Sequence, residues 1–226
     1  MTATMNSTVA DATVFVVDDD PALRKSLRWL MESVGLHVET FGSAADFLGA
    51  YEPGRLGCVV LDVRMPGMGG LELQERLRDC GCRMPVIVMT AYGDVPMAVR
   101  SMQAGAVHFF EKPVSDQVLL EHVQQALAAD VSRHRDEAHV RHIEQLFARL
   151  TQREWQVLDR VVDGLSSREI GEALGVSFKT VEAHRAKIMR KTKADSVAHL
   201  IRMYLSLPAT PKNPQTATFA ATGRGA

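Results

Sequence analysis

Val59-Val60-Leu61-Asp62-Val63-Arg64-Met65-Pro66-Gly67 decides the fold. The apolar run from Cys58 to Leu61 ends abruptly in a carboxylate. Met65-Pro66-Gly67 must then turn. A short, unbroken apolar run bounded by a turn signal reads as a parallel strand covered on both faces. Asp62 therefore sits at the carboxyl end of an interior strand, where open α/β sheets place their ligands. A second run, Val14-Phe15-Val16-Val17, ends in Asp18-Asp19-Asp20. Two strand ends tipped with carboxylate imply one oxygen-lined pocket suited to a hard cation.

Outward from that stretch, residues 13–129 alternate strand and helix. Strands are expected at Val14–Val17, His37–Phe41, Cys58–Leu61, Pro85–Met89 and Val107–Phe110. Helices are expected at Pro21–Val34, from Ser43 to Leu48, at Gly70–Asp79, at Asp94–Ala104 and from Ser115 through Ala129. Asp20 is placed to cap the first helix, with Pro21 at its first position. Five strand–helix units build a parallel sheet covered on both faces. Right-handed crossovers favour a doubly wound order 2-1-3-4-5. That order makes strands one and three neighbours, so their carboxylates meet.

Residues 1–11 read as a disordered leader, within which Met5 is a second candidate start. Residues 130–149 are polar, with a sparse stripe at Val131, Ala138, Ile143, Leu146 and Leu150. This is a helical linker, either a solvated connector or a dimer-forming coil. Residues 150–207 are all-helical. Thr151-Gln152-Arg153-Glu154 fits a capping box. A short helix after Ser166 or Ser167, a turn at Gly175-Val176-Ser177 and a basic helix Phe178–Lys191 form a helix-turn-helix. A last helix is expected over Asp195–Leu207, and the Pro/Thr/Ala-rich tail 208–226 should be disordered.

Composition bounds the function. The chain has 226 residues, enough for two modest domains, and a formal net charge of −1. That balance conceals an acidic first half and a dense basic stretch from Lys179 to Lys193, which suggests a nucleic-acid partner. No apolar run is long enough to span a membrane. The 3 cysteines, Cys58, Cys80 and Cys82, are odd in number and lack metal-site spacing, so free thiols in a reducing cytoplasm are expected.

The pocket's chemistry follows from strand ends. Asp18 and Asp19 follow strand one, Asp62 ends strand three, Thr90 follows strand four and Lys112-Pro113 follows strand five. Three carboxylates with waters suit octahedral Mg²⁺ at about 2.0–2.1 Å. A lysine and a hydroxyl beside a metal-bound carboxylate can hold a phosphoryl group, and the carboxylate can itself be the nucleophile. Alone, Thr90 is an ordinary β-branched residue and Lys112 an ordinary solvated one; four parallel strand ends together are not ordinary.

These residues resemble the receiver domain of two-component response regulators: Asp18-Asp19, Asp62 with Met65-Pro66-Gly67, Thr90-Ala91 and Lys112-Pro113. Gly93-Asp94-Val95-Pro96-Met97-Ala98-Val99 and Ala104-Gly105-Ala106 look like the FixJ-type branch. Residues 150–203 are similar to the LuxR/FixJ helix-turn-helix output domain, through Leu150-Thr151, Arg153-Glu154, Val157-Leu158, Gly164-Leu165-Ser166, Glu169-Ile170, Thr180-Val181-Glu182 and His184-Arg185. The resemblance implies that Asp62 accepts phosphate from a sensor histidine kinase. Asp18, Asp19 and the Arg64 backbone carbonyl would join Asp62 around Mg²⁺, and Thr90 and Lys112 would bind phosphoryl oxygens. Phe109 falls at a rotating aromatic switch position, and Lys112-Pro113 would be cis. It further implies a homodimer on phosphorylation, promoter DNA as partner, RNA polymerase as a further one, and no enzyme activity beyond self-phosphotransfer and self-dephosphorylation.

Two other chemistries compete. Aspartyl phosphohydrolases share such a pocket but carry a second acid two residues after the nucleophile, where this chain has Arg64. A DNA-binding protein with a never-phosphorylated receiver would not need all five pocket residues. On the basic helix, Val181, Ile188 and Thr192 should face the core. Lys179, Thr180, Glu182, Ala183, Arg185, Ala186, Lys187 and Arg190 are the candidate DNA contacts. Lys191 and Lys193 are not assigned to bases. His134, His139 and His142 are better read as solvated than as a metal face.

Overall fold

The computed structural model describes residues 8–91 and 93–208. The chain divides into two compact units, residues 1–135 and 136–226.

The first unit is a five-stranded, all-parallel sheet in the order β2-β1-β3-β4-β5. The strands are β1 Thr13–Val17, β2 His37–Phe41, β3 Gly57–Asp62, β4 Val86–Thr90 and β5 Ala106–Glu111. The helices are α1 Pro21–Glu32, α2 Ala44–Ala50, α3 Gly70–Asp79, α4 Val95–Gln103 and α5 Asp116–Phe147. β3 is buried along its whole length, as its unbroken apolar run requires. Its side chains alternate between two cores: Cys58 and Val60 pack with Leu27, Met31, Leu119, Val123 and Leu127. Val59 and Leu61 pack with Phe15, Phe47, Leu73 and Leu77. The doubly wound order and each strand match expectation to within one residue.

α1 and the final helix end two residues earlier than expected and α2 two later, and four further boundaries differ for reasons that packing or capping supplies. The leader expected to be disordered through Asp11 is ordered from Thr8: Val9–Asp11 form a 3₁₀ turn with a Thr8/Asp11 capping box, and Val9 packs on the core. The linker expected from residue 130 begins later. Asp130 and Val131 belong to the first unit, with Val131 in its core. Asp130 is buried, its Oδ2 accepting from Gly57 N at 3.1 Å and its Oδ1 pairing with Arg133. A polar residue that looked solvated is the partner of a buried strand-end amide. Third, the basic helix extends to Thr192. Last, the final helix starts at Val197, because Ser196 and not Asp195 caps it. The expectations for Met5 and for the tail beyond Pro208 lie outside the described residues.

The second unit holds α6 Gln152–Val162, α7 Ser167–Leu174, α8 Phe178–Thr192 and α9 Val197–Leu205. Capping boxes start α6 at Thr151 and α7 at Ser166. Its core joins Trp155, Leu158, Ile170, Val181, Ile188 and Leu200. The linker stripe is shared between the units: Ile143, Leu146 and Leu150 enter this second core with Phe147. The buried Glu154 completes the first capping box through Thr151 N at 2.7 Å and pairs with Lys191 Nζ at 2.6 Å, so Lys191 is a structural residue.

Candidate functional site

The carboxyl ends of β1, β3, β4 and β5 bring the expected residues together. Asp20 caps α1, accepting from Ala22 N at 2.8 Å, and its own N–H donates to Asp18 Oδ1 at 2.8 Å. Those bonds turn the buried Asp18 carboxylate toward β3. Asp62 is also buried, and its Oδ2 accepts from Arg64 N at 2.7 Å. A Cβ on Gly70 would lie 2.1 Å from Asp62 O. Only glycine lets α3 start this close to the end of β3.

Lys112 Nζ donates to Asp62 Oδ1 at 2.6 Å and to Asp18 Oδ2 at 2.7 Å. Its backbone N–H donates to Thr90 O at 2.7 Å, and its bond to Pro113 is cis. Thr90 is fully buried. Gly93 stands between Thr90 and the half-buried Phe109: a Cβ there would meet Thr90 Cγ2 at 3.5 Å and the Phe109 ring at 3.2 Å. Asp19 and Arg64 are exposed at the pocket edge.

Burial holds the Asp62 carboxyl above the ordinary aspartate range, against the lowering by Lys112 and the Arg64 N–H. Burial alone would lower the Lys112 ammonium. Its bonds to Asp18 and Asp62 outweigh that and raise it. Both groups therefore hold protons more tightly than usual, as expected where buried negative charge exceeds the one ammonium. Among the described residues no three His, Cys, Asp or Glu side chains are grouped as a metal cluster. The donors are nonetheless all oxygens in a pocket with surplus negative charge, which fits a hard divalent cation.

In the second unit α7, Gly175-Val176-Ser177 and α8 form the helix-turn-helix. Val181, Ile188 and Thr192 are buried as expected. Lys179, Thr180, Glu182, Ala183, Ala186, Lys187 and Arg190 are exposed on the opposite side. Three of the eight expected contact residues are engaged within the unit: Thr180 Oγ1 lies 2.8 Å from Ser177 Oγ. Glu182 accepts from Ser167 Oγ. Arg185 is half-buried, its Nε 3.9 Å from Glu182 and its stem lining a small apolar recess with Val161, Ile188 and Leu200. His134 Nδ1 lies 3.0 Å from Asp130 O, while His139 and His142 are exposed.

The family model for the response regulator receiver domain matches residues 14–124, and that for bacterial regulatory proteins of the luxR family matches residues 148–204. The chain is 45% identical over 205 residues to transcriptional regulatory protein FixJ of Azorhizobium caulinodans, covering 91% of this chain and 97% of that protein.

The chain belongs to the response regulators.

It is likewise 45% identical over 196 residues to transcriptional regulatory protein TdiR of Thauera aromatica, covering 86% of each chain. Among solved structures, response regulator StyR superposes with a TM-score of 0.80 at 44% identity, covering 85% of this chain and 98% of that one. Full-length FixJ from B. japonicum matches with a TM-score of 0.54 at 38% identity, over 86% and 96%. This response regulator is therefore a phosphorylation-dependent, DNA-binding regulator of transcription of the FixJ type. No described helix is long and apolar enough to cross a membrane.

Sequence reasoning missed Phe178, which begins α8 and is 58% exposed; position gave no signal, since an apolar first-turn residue usually packs inward. It also missed the buried pair Gln74 and Ser101, where Gln74 Nε2 donates to Ser101 O at 3.0 Å.

Proposed function

We propose that Asp62 is the phosphoacceptor of a cytoplasmic two-component system. A carboxylate oxygen of Asp62 attacks phosphorus on a kinase phosphohistidine. The P–N bond breaks, its electron pair returns to the imidazole, and an aspartyl phosphate forms. Asp18, Asp19, Asp62 and the Arg64 carbonyl would hold Mg²⁺, which supplies charge neutralisation at the phosphoryl oxygens. Lys112 adds a second positive charge, and Thr90 donates its hydroxyl to a phosphoryl oxygen. The observation that carries this reading is the shared ammonium: one Lys112 bridges two buried carboxylates from different strands.

The signal must bias a two-state element. Movement of Thr90 toward the phosphoryl group frees space for Phe109 to turn inward past Gly93. α4 lies between Thr90 and Phe109 in the chain, and its outer face is apolar. Val95, Val99 and Met102 are 77%, 47% and 49% exposed, and Pro96 is exposed with them. Met97 alone of that helix's large apolar residues packs on the core. A two-fold pairing of receivers through this face would set two copies of α8 on two half-sites of promoter DNA. Lys179, Lys187 and Arg190 would contact phosphates or guanine edges and Ala183 a thymine methyl, with RNA polymerase as the downstream partner.

Sedimentation with and without a small phosphodonor tests the coupling. Phosphorylation should convert monomer to dimer and raise operator affinity together. A phosphorylated protein that stays monomeric yet binds its operator tightly contradicts receiver pairing.

A further inference from the structure

Phe178 is the first residue of α8, following the N-cap Ser177. The residue is 58% exposed. In an α-helix each Cα–Cβ bond tilts toward the N-terminus. A side chain in the first turn therefore projects past the helix start, toward whatever that end meets. A Cβ on Gly171 of α7 would stand 2.8 Å from Val176 O and 3.6 Å from Phe178 N. α7 thus closes on the start of α8 at backbone distance.

The ring's neighbours argue against a protein-docking patch. Lys179 and Thr180 beside it are exposed. Among the described residues of this unit, the other large exposed apolar ones, Val197 and Leu205, lie on α9. Docking surfaces for proteins are contiguous apolar patches, whereas this is one ring bordered by a cation and hydroxyls. One turn further along the same edge of α8 stands the exposed Glu182, itself a candidate base contact. A recognition helix enters the major groove by its N-terminal residues. In that groove the apolar group on the base edges is the 5-methyl of thymine.

We infer that Phe178 is a specificity residue of the DNA interface, its ring seated against a thymine 5-methyl in each half-site. The inference rests on α8 being the recognition helix. It adds a contact distinct from that of Ala183, which lies more than a helical turn further on.

The test uses the full-length phosphorylated protein and an operator selected from randomised duplex. Each thymidine is replaced in turn by deoxyuridine, which removes only the methyl, and affinity is read by fluorescence anisotropy. Wild type should lose about fourfold at one thymine in each half-site, the worth of one buried methyl. Phe178→Ala should bind the unmodified operator about tenfold more weakly and show no further loss at that thymine. Phe178→Leu should recover part of both. Far-ultraviolet circular dichroism melting of each variant confirms that α8 is intact, since an exposed ring contributes little to the fold. Equal loss at every thymine in wild type and Phe178→Ala overturns the inference. So does a Phe178→Ala protein that binds as wild type and fails only to activate transcription, which would make the ring a polymerase contact. A wild type that selects no sequence removes the recognition-helix reading, and this inference with it.

Discussion

Lys112 Nζ lies 2.6 Å from Asp62 and 2.7 Å from Asp18, so a single ammonium serves two buried carboxylates. The pocket is short of positive charge. That shortage makes it receptive to a cation, and it costs the resting fold stability.

The cost is measurable at Asp62. Burial raises its carboxyl above the ordinary value of 3.8, so the folded state binds this proton more tightly than the unfolded state. By linkage, its contribution to stability falls as pH rises from the unfolded pKa through the raised folded one. The penalty is complete above that window. Asp62→Asn should therefore stabilise the receiver at neutral pH by about 0.5–2 kcal/mol, with the gain shrinking in acid. Urea titrations at neutral and acid pH decide this; a variant less stable than wild type at neutral pH contradicts it.

Glu154 has the opposite sign. Burial would raise its carboxyl, but Lys191 and Thr151 outweigh this and lower it below the ordinary 4.5. Its stabilisation is present above the unfolded value and is lost as pH falls through the folded one. Glu154→Gln should destabilise the helix-turn-helix unit by about 3 kcal/mol, and the difference from wild type should narrow in acid. The buried Trp155 reports this unit once the exposed Trp29 is replaced by Phe. An unchanged Trp155 transition would show that the pair contributes nothing.

Gln74 and Ser101 make one buried bond between α3 and α4, yet Gln74 Oε1 and Ser101 Oγ have no hydrogen-bond partner. An unsatisfied buried hydroxyl costs about 1–3 kcal/mol. Ser101→Ala should thus be neutral or stabilising, although the residue is fully buried. Loss of more than about 1 kcal/mol in thermal unfolding would mean the hydroxyl is satisfied in solution.

Arg64 stands two residues after Asp62, exposed at the pocket edge. A bulky side chain there obstructs the water that hydrolyses an acyl phosphate. Arg64→Ala should shorten the lifetime of the phosphoprotein severalfold, read as loss of label after the donor is removed. An unchanged half-life would show that Arg64 does not screen the site.

The sheet was legible because burial on both faces demands unbroken apolar runs, and each run here ends in a turn or a carboxylate. Asp18, Asp62, Thr90 and Lys112 were legible for the same reason: each ends or directly follows a strand, and strand order alone makes those ends meet. Asp130 was not legible. Its role depends on Gly57 N, 73 residues away in sequence, and helical periodicity carries no record of that distance. Glu182 and Arg185 were placed on the right helix, but their ties to Ser167 and to the recess under α9 arise from packing between helices. The Gln74–Ser101 bond is hidden likewise, since each residue reads as an ordinary polar position on its own helix.

The central claim is that Asp62 takes the phosphoryl group. Intact-protein mass spectrometry after incubation with Mg²⁺ and a small phosphodonor tests it most directly. Wild type should gain one phosphoryl group, removable by hydroxylamine, and Asp62→Asn should gain none while remaining folded. Equal labelling of Asp62→Asn, or label on wild type that maps to another residue, would contradict the account.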